Sequence, residues 1–319
     1  MMKRLLKEAV RMDVHFIINE QAGDGKGAKL WANLRQNTSY PFHLTERRNH
    51  AEELAWRLAK QTTVSLLIIV IGGDGTIHEV LNGVAGYPHV TVGVMKAGSG
   101  NDFARTFPAF NSLQEVESYI AIEPANRKTV DFGSVKLSAS HQRYFASNCG
   151  FGLDADISLA VGQSTIKKTL NKWKLGSIVY ALTVARSLLA FKPFNAKIQI
   201  DSDTRIFENV WMITVSNQKY YGGGMIISPH SIYDDGEFEL TVIHSISVLK
   251  FLAVFLTVFN GSHTKLKGVS TYKNDKFIME TDREVGCHTD GEYIGTTTDQ
   301  SVICEVDQRK WFVADKSIV

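Results

Sequence analysis

Residues 64–76 read Val-Ser-Leu-Leu-Ile-Ile-Val-Ile-Gly-Gly-Asp-Gly-Thr, an apolar run that ends in a glycine-rich turn. A run of this kind, without polar alternation, is typical of a strand that is buried on both faces of a parallel sheet. The apolar residues that follow, Ile77, Val80, Leu81 and Val84, have the spacing of a helix with one buried face. These patterns predict a strand, a tight turn and a helix in succession, which is the repeating unit of an α/β fold.

The same alternation extends over the N-terminal part of the chain. The helical spacing of the apolar residues in His50–Gln61 predicts a helix that packs on the sheet. Short β-branched runs predict strands at Val14–Ile18, Tyr40–Leu44, Val64–Ile71 and Thr91–Met95. In such a sheet, ligands bind beyond the carboxyl ends of the strands. The loops after these strands are therefore the places to look for chemistry.

After about residue 126 the pattern changes to short alternating strands with turn-rich connections, which predicts a second, mainly β, sandwich-like domain. The strands are expected at Arg205–Val215, Glu237–Ile243 and Lys276–Glu280, and apolar helices at Ile178–Phe191 and Val248–Phe259. We therefore predict a doubly wound α/β domain over residues 1–130 and a β-rich domain over residues 131–305, with residues 306–319 returning to the first.

Composition restricts the class of protein. The 319 residues carry 35 Lys and Arg against 33 Asp and Glu, so the overall charge does not favour nucleic acid as a partner. The opening Met1–Met12 has no long apolar core that would make it a secretory signal, and Val248–Phe259 is too short to span a bilayer. These features predict a cytoplasmic protein that is not integral to the membrane. They leave a peripheral contact open, to which the apolar helices and Lys172, Trp173 and Lys174 could contribute.

The glycine turn itself indicates phosphate chemistry. Its glycines let the backbone approach a ligand closely, and the N–H groups at the start of the following helix favour an anion. Thr76 and Glu79 have the spacing of a capping box, which predicts that Thr76 caps this helix. Asp74 would repel a phosphate unless a cation lay between them, so its presence indicates Mg²⁺. A tight turn with no function is the alternative.

Two further loops of small and polar residues follow other strands. One runs from Asn19 to Gly27, and the other from Lys96 to Asp102. Neither contains a dinucleotide fingerprint or a P-loop at a strand end, so a different kind of phosphate site is indicated. Because three such loops lie at one predicted sheet edge, we expect them to surround a nucleotide together.

These motifs resemble the bacterial diacylglycerol kinase family of soluble lipid kinases. The resemblance rests on Gly72–Gly83 and Gly98–Arg105, and on three later segments of the β-rich domain in the matching order. Those later segments are Asn148–Ala155, Pro229–Gly236 and Asp290–Glu292. The resemblance implies transfer of the γ-phosphate of ATP, with Mg²⁺, to a lipid hydroxyl at the membrane surface. Diacylglycerol, giving phosphatidic acid, is the leading acceptor.

The resemblance also implies site residues. The α/β domain would bind ATP in a cleft between the domains, and the β-rich domain would bind the lipid. The implied ATP contacts are Asn19, Thr45, Gly72, Gly73, Asp74, Gly75, Thr76, Ile77, His78, Glu79, Gly98, Ser99 and Asn101. Glu292 would accept the proton, with Asp74 and Asp290 as the other catalytic residues. Asp235 would bind a structural Mg²⁺ together with backbone carbonyls near Ile232 and Glu237.

Alternatives stay open at this point. Asp290-Gly291 and Asp235-Gly236 are also good turn sequences, and without the family they would be interpreted as turns. An NAD kinase shares the glycine turn and a β-rich second domain, and the acceptor could also be a sphingoid base or phosphatidylglycerol. A nucleotide or lipid sensor without activity is the non-enzymatic alternative. A homodimer also stays open.

Overall fold

The computed structural model describes residues 12–122, 127–138, 140–163, 186–298 and 301–318. The chain divides into two compact units, one of Met1–Asp131 with Gln308–Val319 and the other of Phe132–Asp307. We call them the N-terminal unit and the β unit. Lys172, Trp173 and Lys174 lie outside the described residues, as does most of the predicted helix Ile178–Phe191, of which residues 186–190 are helical.

The N-terminal unit contains a parallel sheet. Its strands are β1 (Met12–Ile18), β2 (Phe42–Leu44), β3 (Ser65–Gly72) and β4 (Val90–Lys96), in the order β2-β1-β3-β4. A late strand joins β4 in parallel through the pair Val313 and Val92. The helices are α1 (Ala22–Arg35), α2 (His50–Gln61), α3 (Asp74–Gly83), α4 (Phe103–Thr106) and α5 (Leu113–Ile122).

Strand β3 occupies the middle of this sheet because its sequence is apolar on both faces. Residues Leu66 to Ile71 are completely buried, and β3 pairs with β1 on one side and with β4 on the other. The helix α2 has the predicted bounds and buries the predicted apolar face. At the start of α1, left-handed backbone at Gly23, Asp24 and Gly25 interrupts the helix, so regular helix begins after Gly25.

The β unit is mainly antiparallel. Its first part contains β5 (Arg127–Ser138), β6 (His141–Phe145), β7 (Asn148–Gly152), α6 (Leu153–Gln163), β8 (Phe194–Ile200) and β9 (Asp203–Ser216). Then follow β10 (Tyr220–Tyr221), β11 (Met225–Ile226), β12 (Phe238–His244), α7 (Val248–Thr257) and β13 (Val269–Asn274). The last strands are β14 (Lys276–Thr281), β15 (Gly286–Thr289), β16 (Glu292–Thr296) and β17 (Val302–Ala314). Short 3₁₀ turns cover Val258–Asn260, Ser262–Lys265 and Lys316–Ile318.

The long strand β9 organises the β unit. Its first half pairs with β8, and its second half pairs with β7 on one edge and β12 on the other. Large apolar side chains from these strands, among them Phe151, Phe194 and Phe238, form one buried core. The strand and turn pattern therefore produces the sandwich-like architecture that the sequence predicts.

Two strands cross the boundary between the units. Residues 127–131 of β5 and residues 308–314 of β17 belong to the N-terminal unit, and the remaining residues of both strands belong to the β unit. In the N-terminal unit, Trp311 is buried and Phe312 lies against the guanidinium of Arg127. This unit is therefore assembled from both ends of the chain.

Candidate active site

The loops at the carboxyl ends of the parallel strands lie side by side. The N–H of Asn19, after β1, donates to Ile71 O at 2.9 Å, and the N–H of Thr45, after β2, donates to Ile18 O at 2.9 Å. The N–H of Ala97, after β4, donates to Gly72 O at 3.0 Å. The structure thus brings the predicted loops of the N-terminal unit to one edge of the sheet.

Two glycines allow the β3 and β4 loops to approach each other closely. A Cβ atom on Gly98 would lie 2.5 Å from the Cα of Gly73, which is closer than real Cβ contacts allow. The Gly98 loop is closed by Asn101, whose side chain accepts from Gly98 N at 3.1 Å and donates to Gly98 O at 2.9 Å. Asn101 has a left-handed backbone at φ 55, a conformation that asparagine tolerates better than most residues. Ser99 is exposed at the tip of this loop.

Helix α3 starts three residues earlier than the capping-box prediction requires. Gly73 is the N-cap residue, and Asp74 and Gly75 already belong to the helix. Thr76 therefore lies inside the first turn, where its hydroxyl accepts from the Asn19 side-chain amide at 3.0 Å. Glu79 is used elsewhere, since its carboxylate accepts from the N–H groups of Asn49 and Ala51, each at 3.0 Å. The predicted capping box is wrong, and Glu79 instead caps the start of α2.

The start of α3 has the features of an anion site. The first N–H groups of a helix have no partner within the helix, and the helix dipole adds a partial positive charge there. Gly73 and Gly75 carry no side chains that would cover these groups. The side chain of Ile77 is buried in the core, so Ile77 could contact a nucleotide only through its backbone. His78 lies half-buried on the same helix and contacts Asn82.

Two carboxylates lie close together beside this helix start. Asp74 Oδ1 accepts from Phe103 N at 3.1 Å, which ties the α3 turn to the loop after β4. Burial raises the pKa of Asp74, and the negative charge of nearby Asp102 adds to the rise, against the lowering by hydrogen bonds from backbone N–H groups such as that of Phe103. Asp102 is itself buried and forms an ion pair with Arg105 at 3.3 Å. A cation at this position would relieve the repulsion between the two acids.

This donor set suits Mg²⁺. Magnesium binds through one or two carboxylates and completes its octahedron with water and phosphate oxygens. Within the described residues there is no cluster of three or more His, Cys, Asp or Glu that could hold a metal by protein ligands alone. Asp74 with Asp102 therefore fits a magnesium ion that arrives with a nucleotide.

In the β unit, Glu292 begins β16 immediately after a tight turn. Asp290 and Gly291 both have positive φ, at 48 and 83, as the central residues of a type I′ hairpin do. Asp290 accepts from three backbone N–H groups, those of Ala146, Ser147 and Asn148, at 2.8 to 2.9 Å. Asp290 thus fastens the hairpin to residues 146–148 at the start of β7, two residues before the half-buried Glu292.

A buried histidine supports the same hairpin. The imidazole of His288 has no exposed surface, and its Nδ1 accepts from Gly291 N at 3.2 Å. Its Nε2 lies 3.1 Å from Asp154 Oδ2, and the ring of Tyr221 stacks on it with the ring planes 6° apart. Sequence reasoning did not assign His288 or Asp154, because the link joins residues far apart in the chain. The only local signal was the position of His288 beside the Asp-Gly-Glu segment.

The predicted structural metal ligand Asp235 already has partners. Its Oδ2 lies 3.1 Å from the ammonium of Lys273, and its Oδ1 accepts from Glu237 N at 3.2 Å. Ile232 is exposed on the same loop. The carboxylate and the nearby carbonyls are oxygen ligands of the type that Mg²⁺ prefers. A metal ion there would either displace the Lys273 ammonium from Asp235 or share the carboxylate with it.

Comparison with known proteins agrees with these features. Residues 13–135 match the model of the diacylglycerol kinase catalytic domain, and residues 149–306 match that of the YegS C-terminal NAD kinase beta sandwich-like domain. A candidate lipid kinase of Bacillus subtilis, YtlR, is 31% identical over 88% of this chain and 94% of its own. A diacylglycerol kinase of Mycobacterium tuberculosis is 26% identical over 75% of this chain and 74% of its own.

The fold has a solved counterpart as well. The crystal structure of a candidate diacylglycerol kinase from Bacillus anthracis superimposes with a TM-score of 0.70. The two chains share 24% identity, and the superposition covers 96% of this chain and 98% of the other. The predicted α/β plus β-sandwich-like fold class is confirmed. From the catalytic-domain match and the full-length similarity to a lipid kinase relative, we conclude that this chain belongs to the diacylglycerol kinase family of lipid kinases.

Proposed function

We propose that this enzyme transfers the γ-phosphate of ATP to the hydroxyl of a lipid, with diacylglycerol as the preferred acceptor and Mg²⁺ as the metal. One observation carries the proposal: the glycine turn at the start of α3 presents helix N–H groups beside the paired carboxylates of Asp74 and Asp102. This arrangement provides donors for phosphate oxygens and a site for the metal that neutralises them. Homologues that are named diacylglycerol kinases support the acceptor.

In this proposal the N-terminal unit positions the nucleotide. The N–H groups of Gly75 and Thr76 bind phosphate oxygens, while Asn19, Thr45, Gly98, Ser99 and Asn101 line the sheet edge where the rest of the nucleotide binds. Asn19 also holds Thr76 through its side-chain amide. Asp74 would hold the bound Mg²⁺, which would neutralise negative charge on the transferred phosphate group. Glu79 acts by positioning α2 rather than by contact with ATP.

The β unit contributes the proton acceptor. A lipid hydroxyl is a poor nucleophile until its proton is removed, and a carboxylate within hydrogen-bond reach can remove it. We assign this role to Glu292. Asp290 accepts three backbone hydrogen bonds, so we assign it the positioning of the Glu292 hairpin instead of direct proton transfer.

For Asp235 we propose a structural Mg²⁺ that also uses carbonyls near Ile232 and Glu237 and that competes with Lys273. Isothermal titration of Mg²⁺ without nucleotide, on the natural protein and on Asp235→Asn, tests this assignment. Loss of a binding event in Asp235→Asn is expected. Equal binding isotherms for the two proteins would contradict it.

The experiment that tests the function is transfer of radiolabel from ATP to a panel of acceptors in detergent micelles. The panel contains diacylglycerol, sphingosine, phosphatidylglycerol and NAD. We expect phosphorylation of diacylglycerol that requires Mg²⁺, and losses of about a hundredfold or more in kcat for Asp74→Asn and for Glu292→Gln. Asp203→Asn, at an exposed position of β9, is the control and should keep full activity. Transfer to NAD but to none of the lipids would overturn the proposal.

An NAD kinase is the second candidate, because the model that matches residues 149–306 describes an NAD kinase-like sandwich. The acceptor panel decides between the two. The lipid acceptor is favoured because the catalytic-domain model and the named relatives are those of lipid kinases.

We also propose that the enzyme is cytoplasmic and contacts the membrane peripherally, because its lipid acceptor lies in the membrane. Among the described residues, no helix is long and apolar enough to cross a bilayer.

A further inference from the structure

Helix α7 has an apolar side that faces solvent. Leu249 is 79% exposed and Leu256 is 74% exposed, and Leu252 and Phe259 on the same stripe are also exposed. These positions are spaced by three or four residues, so they form one continuous face of the helix and the 3₁₀ turn that follows it. We call these four residues the outer stripe. Soluble proteins rarely expose a large contiguous apolar patch, and where they do, the patch usually marks an interaction site.

The helix cannot turn to bury the outer stripe, because its other side is already packed. Phe251, Val254 and Val258 are buried in a cluster with Trp211 of β9. The rings of Phe251 and Trp211 lie 5.2 Å apart. The helix is thus apolar on both sides, which a helix that only covered a core would not need.

A second part of the chain adds to this surface. Leu188 packs into the same buried cluster, while the adjacent Leu189 is 78% exposed. Phe191 contacts Trp211 with the ring centroids 5.9 Å apart, so Trp211 lies against aromatic rings from both chain segments. Leu189 is therefore a further exposed apolar side chain on a segment that packs against the same buried cluster as α7.

The charges around the outer stripe are basic. Residues 240–274 contain no Asp or Glu, whereas Lys250, Lys265 and Lys267 are exposed. Lys250 lies in α7 itself. Lys265 is the last residue of the 3₁₀ turn Ser262–Lys265, which contacts α7, and Lys267 follows that turn. An apolar face bordered by lysines is complementary to a membrane surface with anionic headgroups.

We propose that the outer stripe of α7 inserts into the interface of a bilayer and that Lys250, Lys265 and Lys267 bind anionic lipid headgroups. The inference rests on the proposed lipid substrate, since an enzyme with such a substrate must reach a membrane. A second copy of the chain is disfavoured as the occupant, because two such faces would bring their lysines together and repel each other.

Sedimentation with lipid vesicles in the absence of ATP tests the apolar contact. The vesicles consist of phosphatidylcholine with or without phosphatidylserine, and the variant is Leu249→Ser with Leu256→Ser. We expect the double variant to bind at least about tenfold more weakly to the anionic vesicles, because two apolar side chains no longer enter the interface. Ile206→Ser is the matched control, since Ile206 of β9 is also 74% exposed but lies outside the outer stripe. Equal binding by the double variant and the natural protein would overturn the proposal.

Replacement of Lys250, Lys265 and Lys267 by Gln tests the electrostatic contact separately. We expect weaker binding to vesicles that contain phosphatidylserine, by roughly fivefold per lysine, and little change with phosphatidylcholine alone. Lys60→Gln, an exposed lysine of the N-terminal unit, is the control. An equal loss on both kinds of vesicle would contradict the assignment of these lysines.

Two further measurements separate the possible causes of failure. Activity on a short-chain, water-soluble diacylglycerol should be the same in the double leucine variant and the natural protein, because neither leucine belongs to the catalytic machinery. If the natural protein binds vesicles but phosphorylates no lipid, the proposed function fails while the docking surface stands. Analytical ultracentrifugation without lipid should show the same mass for both proteins. A dimer of the natural protein that the variant lacks would show that a second copy covers the stripe, and would overturn the proposal.

Discussion

Asp74 carries a negative charge in a half-buried position beside a second acid, Asp102. Burial and that neighbour raise the pKa of Asp74 above its ordinary value of 3.8. The Asp74 carboxyl therefore binds its proton more tightly in the native state than in the unfolded chain. The free energy of unfolding falls as the pH rises from the unfolded-state pKa through the raised native-state pKa. At neutral pH, without ligand, the ionised carboxylate destabilises the fold.

We therefore predict that Asp74→Asn unfolds at a higher temperature than the natural protein at pH 7, without nucleotide or metal. The difference should disappear at about pH 3, where Asp74 is protonated in both the native and the unfolded state. Thermal unfolding followed by circular dichroism across this pH range is the measurement. Asp203→Asn, at an exposed site, should show no such gain. A lower unfolding temperature for Asp74→Asn at pH 7 would contradict the interpretation.

At the scale of single residues, the sequence predicts types of chemistry better than contacts. Glycines and an acid in a turn after a strand indicated a phosphate and metal site, and the structure brings Asp74 and Gly98 to one edge of the sheet. The partner of Glu79 was predicted wrongly, because its real partners lie at the start of another helix and spacing reports only neighbours in the chain. The link between His288 and Asp154 was missed for the same reason.

At the scale of elements, the carboxylate of Asp290 fastens the turn of the β15–β16 hairpin to residues 146–148, in addition to the pairing of β15 with β7. It accepts from the N–H groups of Ala146, Ser147 and Asn148. An amide in its place offers one acceptor oxygen, so at least one of these N–H groups would lose its partner. We predict that Asp290→Asn lowers the free energy of unfolding by about 1–3 kcal/mol. Urea denaturation measures this change.

Asp201→Asn is the matched control for this prediction. Asp201 also has a left-handed backbone, at φ 53, in an exposed hairpin between β8 and β9. Asparagine tolerates this conformation as well as aspartate does, so the control should change stability by less than about 0.5 kcal/mol. Similar stabilities for the two variants would show that the hydrogen bonds of Asp290 do not hold the hairpin.

Helices and strands with a clear apolar pattern were predicted close to their observed positions, whereas the sequence did not specify which strands pair with one another. The helix His50–Gln61 was predicted with its observed bounds, because its apolar spacing is regular. The predicted strand Tyr40–Leu44 is shorter in the structure, where it begins at Phe42. Pro41 has no N–H to contribute to a strand ladder. The division of β9 between β8, β7 and β12 follows from distant pairings that its own sequence does not specify.

At the scale of the whole molecule, the N-terminal unit depends on residues near the other end of the chain. Trp311 of β17 is only 1% exposed, and Val313 pairs with Val92 of β4. We predict that Trp311→Ala lowers the free energy of unfolding by about 3–5 kcal/mol, because it leaves a large cavity. Trp56→Ala is the control, since Trp56 is 47% exposed, and it should cost far less.

Hydrogen exchange can show where the Trp311→Ala variant is weakened. We expect faster exchange at amides of β3 and β4, which belong to the N-terminal unit, than at those of β9 and β12 in the β unit. Equal acceleration in both units would show that they unfold together. The choice of partner strand for β17 could not be read from the sequence, because an apolar strand near the end of the chain is compatible with several sheet positions.

The two-ended construction of the N-terminal unit has a consequence for protein synthesis. Residues 12–122 leave the ribosome long before Trp311 and Val313 are made, so during synthesis the parallel sheet of the N-terminal unit has β4 unpaired on one edge. The β unit has nearly all of its strands by then. The N-terminal unit of this kinase is therefore the first to be translated and the last to be completed. Until β17 emerges, its residues are exposed to chaperones and proteases.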